Sequence, residues 1–152
     1  AGKAIGQSKS IERYVARKHG LEGESPEEVA QVDAVVEHIR DIKTSYQPVR
    51  KTEGEEKKKE AMNEWFSTKL PEWMEKLEKA IAVTSTNEGY TAGSKTTVAD
   101  VTIFLFATEF FDEQEKMNGI VAKLPKVKAI VDQVAGIPEV KSWLEERPKT
   151  KF

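Results

Sequence analysis

The segment TVADVTIFLFA, residues 97–107, is apolar around most of the circumference that a helix would have. Such a pattern predicts a helix buried at the centre of a bundle, running from Val98 to about Phe111. Thr97 and Asp100 have the spacing of a capping box, in which each side chain accepts a hydrogen bond from the backbone N–H of the other residue. We therefore predict a structural cap at Thr97 and Asp100.

Amphipathic helical patterns lie on both sides of this segment. Apolar residues repeat every three or four positions in five further stretches, which are residues 8–18, 25–46, 62–81, 124–136 and 137–147. Ser25 and Glu28 predict a second capping box, and Pro71 predicts a kink inside the third helix. Strand signal is confined to Ala4-Ile5. The sequence thus indicates an all-α fold of five to six helices.

Composition limits the possible functions. A chain of 152 residues with 38% hydrophobic and 33% charged residues fits one globular domain, and its net charge of −2 provides no field that attracts nucleic acid. The basic run Lys57–Lys59 is flanked by glutamates and is typical of a solvated helix face. The longest apolar stretch is too short to cross a bilayer. We expect neither nucleic-acid binding nor membrane insertion.

The rare residue types are also informative. Cysteine is absent, which excludes disulfides and thiolate chemistry, and the two histidines, His19 and His38, have no ligand spacing that indicates a metal site. We therefore predict no metal. A reducing compartment such as the cytoplasm fits these features, and an organelle is the alternative if Ala1 is a processed start.

Gln7 and Ser8 open the first helical pattern. They place an amide, a hydroxyl and free backbone N–H groups at a helix start, which is a suitable arrangement for a carboxylate.

Several blocks of the sequence, in order, resemble the cytosolic glutathione S-transferases. They are QSKSIERYVARKHGLEG, VDAVVEHIRDI, LPEWMEKLEKAI, GYTAGSKTTVAD and LPKVKAIVDQVAGIPEVKSWLEERPKTKF. The last block is most similar to the sigma class, which includes prostaglandin D synthase and the S-crystallins. The resemblance implies that residues 1–20 are the last strand and helix of a thioredoxin-like domain, most of which is missing, and that residues 21–152 are the all-helical C-terminal domain.

The resemblance also implies roles for individual residues. Gln7 and Ser8 would bind the γ-glutamyl end of glutathione, the cosubstrate, and Asp41 would reach the glutathione of a neighbouring subunit in a homodimer. A pocket for a hydrophobic electrophile would be lined by Lys43, Thr102, Phe106 and Phe152. No residue matches the family's thiolate-activating Tyr or Ser, so catalysis by this chain alone is not expected.

Three functions follow as hypotheses. The first is the helical domain of a transferase whose complete form conjugates glutathione to electrophiles. The second is a non-catalytic structural subunit or interaction module of a larger assembly, and the third is a carrier of hydrophobic ligands. Pro48 and Arg40 depart from the pattern of prostaglandin-synthesising and metal-activated sigma members, so neither property is expected.

Overall fold

The computed structural model describes residues 4–148, which form helices joined by loops. The helices are α1 (Ser8–Lys18), α2 (Pro26–Arg50), α3 (Glu55–Glu64), α4 (Leu70–Thr84), α5 (Val98–Glu109), α6 (Gln114–Val121), α7 (Pro125–Ala135) and α8 (Pro138–Glu146). A π-helical turn, Trp65–Lys69, joins α3 to α4 without a break. The predicted all-α fold is confirmed, and residues 4–148 contain no strand, so the strand suggested at Ala4-Ile5 is not formed.

The predicted central helix is α5. It packs against α2, α6 and α7, and buried side chains occur around most of its circumference, with Leu105 on the face that remains exposed. The core is completed by α2 and α4, whose inward residues include Ile39, Ile42, Leu70 and Leu77. The apolar circumference of residues 97–107 therefore has the position that the sequence predicted.

The helix around Pro71 shows how a proline is accommodated inside a helix. Proline has no N–H, and its ring would collide with the carbonyl four residues earlier, which belongs to Ser67. Ser67 lies in the π turn, where the wider spacing is closed by a hydrogen bond from the N–H of Leu70 to the carbonyl of Trp65. The expected kink is thus a π turn, and it carries the buried side chains of Trp65 and Phe66.

Several helix features differ from the sequence prediction, beginning with the number of helices, because residues 4–148 form eight α-helices and not five to six. The N–H of Glu28 donates to Ser25 Oγ at 3.2 Å as predicted, but the Glu28 carboxylate accepts from the N–H of Glu24 at 2.8 Å. The carboxylate of the capping box therefore accepts from the N–H of Glu24 and not from that of Ser25. Helix α6 was not predicted, because only Met117 and Val121 of its eight residues are buried and so short a helix has little apolar periodicity.

Candidate functional site

The start of α1 presents Gln7 and Ser8 to solvent. Gln7 is the N-cap residue, with φ 68°, and its side chain makes no capping hydrogen bond. It is the one non-glycine residue with positive φ among residues 4–148. For a residue with a Cβ this conformation is unfavourable by about 1 kcal/mol or more, so the backbone at Gln7 is strained. The exposed side chains and the first N–H groups of α1 remain available to an anion.

A second group of predicted residues meets between α2 and α5. Lys43 Nζ lies 5.8 Å from the ring centroid of Phe106 and 4.9 Å from that of Phe110. The two rings are stacked, with centroids 5.4 Å apart. Thr102 lies one turn before Phe106 on α5, is buried, and donates its hydroxyl to the carbonyl of Val98 at 2.7 Å. The structure therefore brings Lys43 to Phe106, with Thr102 on the same side of α5.

Phe110 was not predicted in this group. Its spacing from Phe106 is four residues, which is the signal in the sequence that identifies it.

Charges in the first turns of α1 act on Lys43. Burial lowers the pKa of Lys43, the nearby positive charge of Lys9 lowers it further, and Glu12 acts in the opposite direction. Lys9 and Glu12 belong to the first turns of α1 and form an ion pair with each other. The first turns of α1 therefore lie within the range of charge interaction with Lys43.

The remaining predicted residues are not brought to this place. Asp41 is exposed on α2, and because it is two residues from Lys43, about 200° around the helix, it points away from the aromatic pair. It forms no ion pair within residues 4–148. Phe152 lies outside the described residues.

Asp100 has a buried position at the start of α5. The capping box with Thr97 is present, and Asp100 Oδ2 accepts from the N–H and the hydroxyl of Thr97 at 2.7 and 2.8 Å. Its other oxygen, Oδ1, accepts from the N–H and the hydroxyl of Thr91 at 2.7 and 2.6 Å. The Thr91 contacts were not predicted. All four donors come from the loop between α4 and α5, so the carboxylate fixes that loop to the central helix.

Comparison with known proteins identifies the family of the chain. Residues 40–147 match the family model described as "Glutathione S-transferase, C-terminal domain". The chain belongs to the glutathione S-transferase family. It is 34% identical over 155 residues to glutathione S-transferase S1 of Drosophila melanogaster, covering 99% of this chain and 58% of that protein. It is also 30% identical to the hematopoietic prostaglandin D synthase of Gallus gallus, covering 98% of this chain and 70% of that protein.

Solved structures of this family share the fold. A glutathione S-transferase of the hookworm Necator americanus, described as monomeric, superimposes with a TM-score of 0.79 at 30% identity, covering 97% of this chain and 71% of that one. The prostaglandin synthase D of Nilaparvata lugens gives 0.79 at 28% identity, covering 98% and 72%. The chain therefore spans about three fifths to three quarters of these relatives.

Further polar residues of this glutathione S-transferase chain were missed by sequence reasoning. Arg13 of α1 donates to Asp33 at 2.9 Å and to Glu37 at 2.6 Å, both on α2. Glu78 of α4 accepts from the N–H groups of Lys126 and Val127, both at 2.9 Å, at the start of α7. These partners are at least 20 residues apart, so no local pattern indicates them.

The clefts between α1 and α2 and on α8 do not coincide with the predicted pocket. One is a narrow space between α1 and α2 beside Arg13 and Asp33, and the other is a shallow depression on α8 around Trp143. Within residues 4–148 there is no group of three or more side chains able to hold a metal ion. No helix in that range has the length and apolar character required to span a membrane.

Proposed function

We propose that this chain forms the helical part of a sigma-class-like glutathione S-transferase whose complete form conjugates glutathione to apolar electrophiles. Gln7 and Ser8 bind the γ-glutamyl carboxylate, and Lys43, Thr102 and Phe106 contact the electrophile. The observation that supports this is the position of Lys43, whose Nζ lies 4.9 Å from the ring centroid of Phe110 and on which the charges of Lys9 and Glu12 in the first turns of α1 act. The two substrates of a conjugation must meet at such a boundary.

The domain division is part of the same proposal. Helix α1 is the last helix of a thioredoxin-like domain, and residues 21–152 are the helical domain. In support, Ala16 is the one buried residue of α1, and Arg13 of the same helix donates to the carboxylates of Asp33 and Glu37 on α2. A helix attached chiefly through polar contacts resembles one at an interface between domains.

Glutathione binding tests the proposal. Because only one end of the family's site is present, we expect at best millimolar affinity, about −4 kcal/mol. Titration of isotope-labelled chain with glutathione should shift the amide resonances of residues 7–11. Ser8→Ala should abolish the shifts, whereas Ser10→Ala, an exposed serine in the same turn, should preserve them. Equal effects of the two variants would contradict the assignment.

Catalysis provides a second test. Stabilising the glutathione thiolate requires a preorganised donor, worth about 3–4 kcal/mol in comparable anion sites. No residue of this chain matches the family's donor, so the 152-residue chain by itself should not conjugate glutathione to an aryl halide above background. Turnover that Ser8→Ala abolishes would show this expectation to be wrong.

One observation favours the alternative of a structural subunit or interaction module. Ile11, Tyr14 and Val15 of α1 are 44%, 51% and 46% exposed. Adjacent exposed apolar side chains are typical of an interface. Sedimentation at low micromolar concentration should then reveal a homodimer or larger species, and Tyr14→Ser should weaken it. A wild-type chain that sediments as a monomer would argue against this function.

A further inference from the structure

Trp143 is the largest apolar side chain that residues 4–148 leave exposed to solvent. It lies on α8 and is 63% exposed, whereas Trp65 is buried and Trp73 packs partly buried against the core. Burial of an indole ring is strongly favourable, and tryptophan is enriched among the residues that contribute most to protein–protein binding. The exposed ring therefore makes the surface of α8 a candidate binding surface.

Helix α8 presents this ring from a fixed position. Val140 and Leu144 are the partly buried residues of α8, which packs against α7. Arg147, just after the helix, donates from Nη2 to Glu109 Oε2 at 2.6 Å and so attaches the end of α8 to the end of α5. A partner would therefore meet a preformed surface, and little conformational entropy would be lost on binding.

Two carboxylates flank the indole ring. Glu139 precedes Trp143 by four residues and Glu146 follows it by three, and these spacings place all three side chains on one face of the helix. Together with Pro138 and Ser142 they line the shallow depression on α8. Ser142 Oγ donates to Glu146 Oε1 at 2.9 Å, which orients this carboxylate. Among residues 4–148, neither glutamate forms an ion pair.

The shape and charge of this face indicate what it can bind. The depression is open to solvent, so it has no walls that would enclose a small molecule. It offers a flat aromatic ring with negative charge along its edge. A guanidinium group matches both features, because it stacks on an aromatic face while its N–H groups donate to carboxylates beside the ring.

The nearby basic side chains of residues 138–148 do not occupy this position. Lys141 is two residues before Trp143, about 200° around the helix, and therefore lies on another side of α8. Arg147 is already paired with Glu109. The negative charge beside the indole ring is thus available to a cation from another molecule.

We propose that the α8 face formed by Trp143, Glu139 and Glu146 binds an arginine-bearing segment of another protein. The guanidinium group lies on the indole ring, and the two carboxylates accept its N–H groups. This inference goes beyond the proposed function and does not depend on it, because no residue of α8 belongs to the glutathione or electrophile site.

Two short peptides that differ in charge test the inference. One is acetyl-Ala-Arg-Arg-Ala-amide, and the other has citrulline, an uncharged isostere, in place of both arginines. Each is titrated into the isotope-labelled full chain, and the amide resonances of residues 139–146 report binding. Combining Glu139→Gln with Glu146→Gln removes both charges and keeps the size of the side chains. Glu145→Gln is the matched control, because Glu145 is exposed on α8 but lies two residues from Trp143.

The expected result depends on charge and on the ring. The arginine peptide should bind about fivefold or more tightly than the citrulline peptide. The double glutamine variant should weaken the arginine peptide about threefold to thirtyfold, the range for two exposed charge pairs, and change the citrulline peptide by less than about twofold. Trp143→Ala should weaken the arginine peptide about twofold to fivefold. Glu145→Gln should leave its affinity unchanged.

Other outcomes would overturn the inference. Equal affinity for the two peptides, equal weakening by Glu145→Gln and the double variant, or no shift in α8 would each do so. A second copy of the chain is the competing occupant. In that case sedimentation would show a dimer that Trp143→Ala dissociates and that the arginine peptide does not disrupt. Since glutathione binding is followed at residues 7–11, failure of either proposal leaves the other testable.

Discussion

Replacement of Asp100 by alanine should destabilise the whole helical domain. Its carboxylate accepts four hydrogen bonds, and two of the donors are the backbone N–H groups of Thr91 and Thr97, which are buried. Each N–H left without an acceptor costs about 1–3 kcal/mol, so the two together cost about 2–6 kcal/mol. Relief from burying a charge offsets part of this. We expect a net loss of about 3–5 kcal/mol.

Urea unfolding followed by circular dichroism and tryptophan fluorescence measures this loss. A domain of this kind is stable by about 5–15 kcal/mol, so the alanine variant should be severely weakened. Asp100→Asn maintains the shape and one acceptor oxygen but turns an NH₂ group toward one of the backbone donors. It should lose about 1–3 kcal/mol and remain measurable if the alanine variant does not fold. Asp132→Ala is the control, because its ion pair with Lys128 is exposed and worth about 0.5 kcal/mol or less.

The reasoning would be refuted if the Asp100→Ala and wild-type curves had the same midpoint and slope. It would also be refuted if the asparagine variant were less stable than the alanine variant, because the number of unsatisfied N–H groups would then not govern the loss. A change in ligand binding without a change in stability would place Asp100 in a binding site instead.

Three further outcomes are expected. Burial raises the pKa of Tyr46 to about 12, so the unfolded chain loses the phenol proton at a lower pH than the folded chain does. The free energy of unfolding should therefore be unaffected by this group below pH 10 and fall by about 2–3 kcal/mol between pH 10 and 12. Urea unfolding across that range should show a shallower decline for Tyr46→Phe. Glu78→Gln should lower the free energy of unfolding by about 1–2 kcal/mol, because it weakens the cap at the start of α7. Glu75→Gln, at an exposed neighbouring position, should change it very little, and thermal unfolding measures both variants. Arg13→Gln should speed amide exchange in α1 while changing the global free energy of unfolding by less than about 1 kcal/mol. Arg17→Gln should speed exchange in α1 to a smaller extent, and equal acceleration in all helices would contradict this prediction.

Much of the fold was predictable because apolar periodicity is a local signal. The buried positions of α2, α4, α5 and α7 repeat at helical spacing, and they correspond to the core that the structure contains. Helix α6 has too few buried residues to produce the pattern. The π turn was predicted only as a kink, since Pro71 forbids a regular helix but does not specify which irregular form replaces it.

The site was predictable to a smaller extent. That Lys43 and Phe106 lie in one group was expected from resemblance alone, and Phe110 could have been added from its four-residue spacing. The bonds from Thr91 to Asp100 and from Lys126 to Glu78 depend on how loops and helices meet in space. The sequence contains no periodicity that reports such distances.

The position of Glu78 also has a consequence for how the chain folds. The N-cap residue of α7, Leu124, has no side chain that can cap the helix, and the carboxylate that serves this purpose is 48 residues away from Lys126. An isolated peptide of residues 125–135 should therefore fray at its first turn. In the intact chain α7 becomes stable at its start when it docks on α4, so helix formation and docking should occur in one cooperative step. Kinetic measurements on Glu78→Gln should then show its effect in the same phase as core substitutions at the contact between α4 and α7.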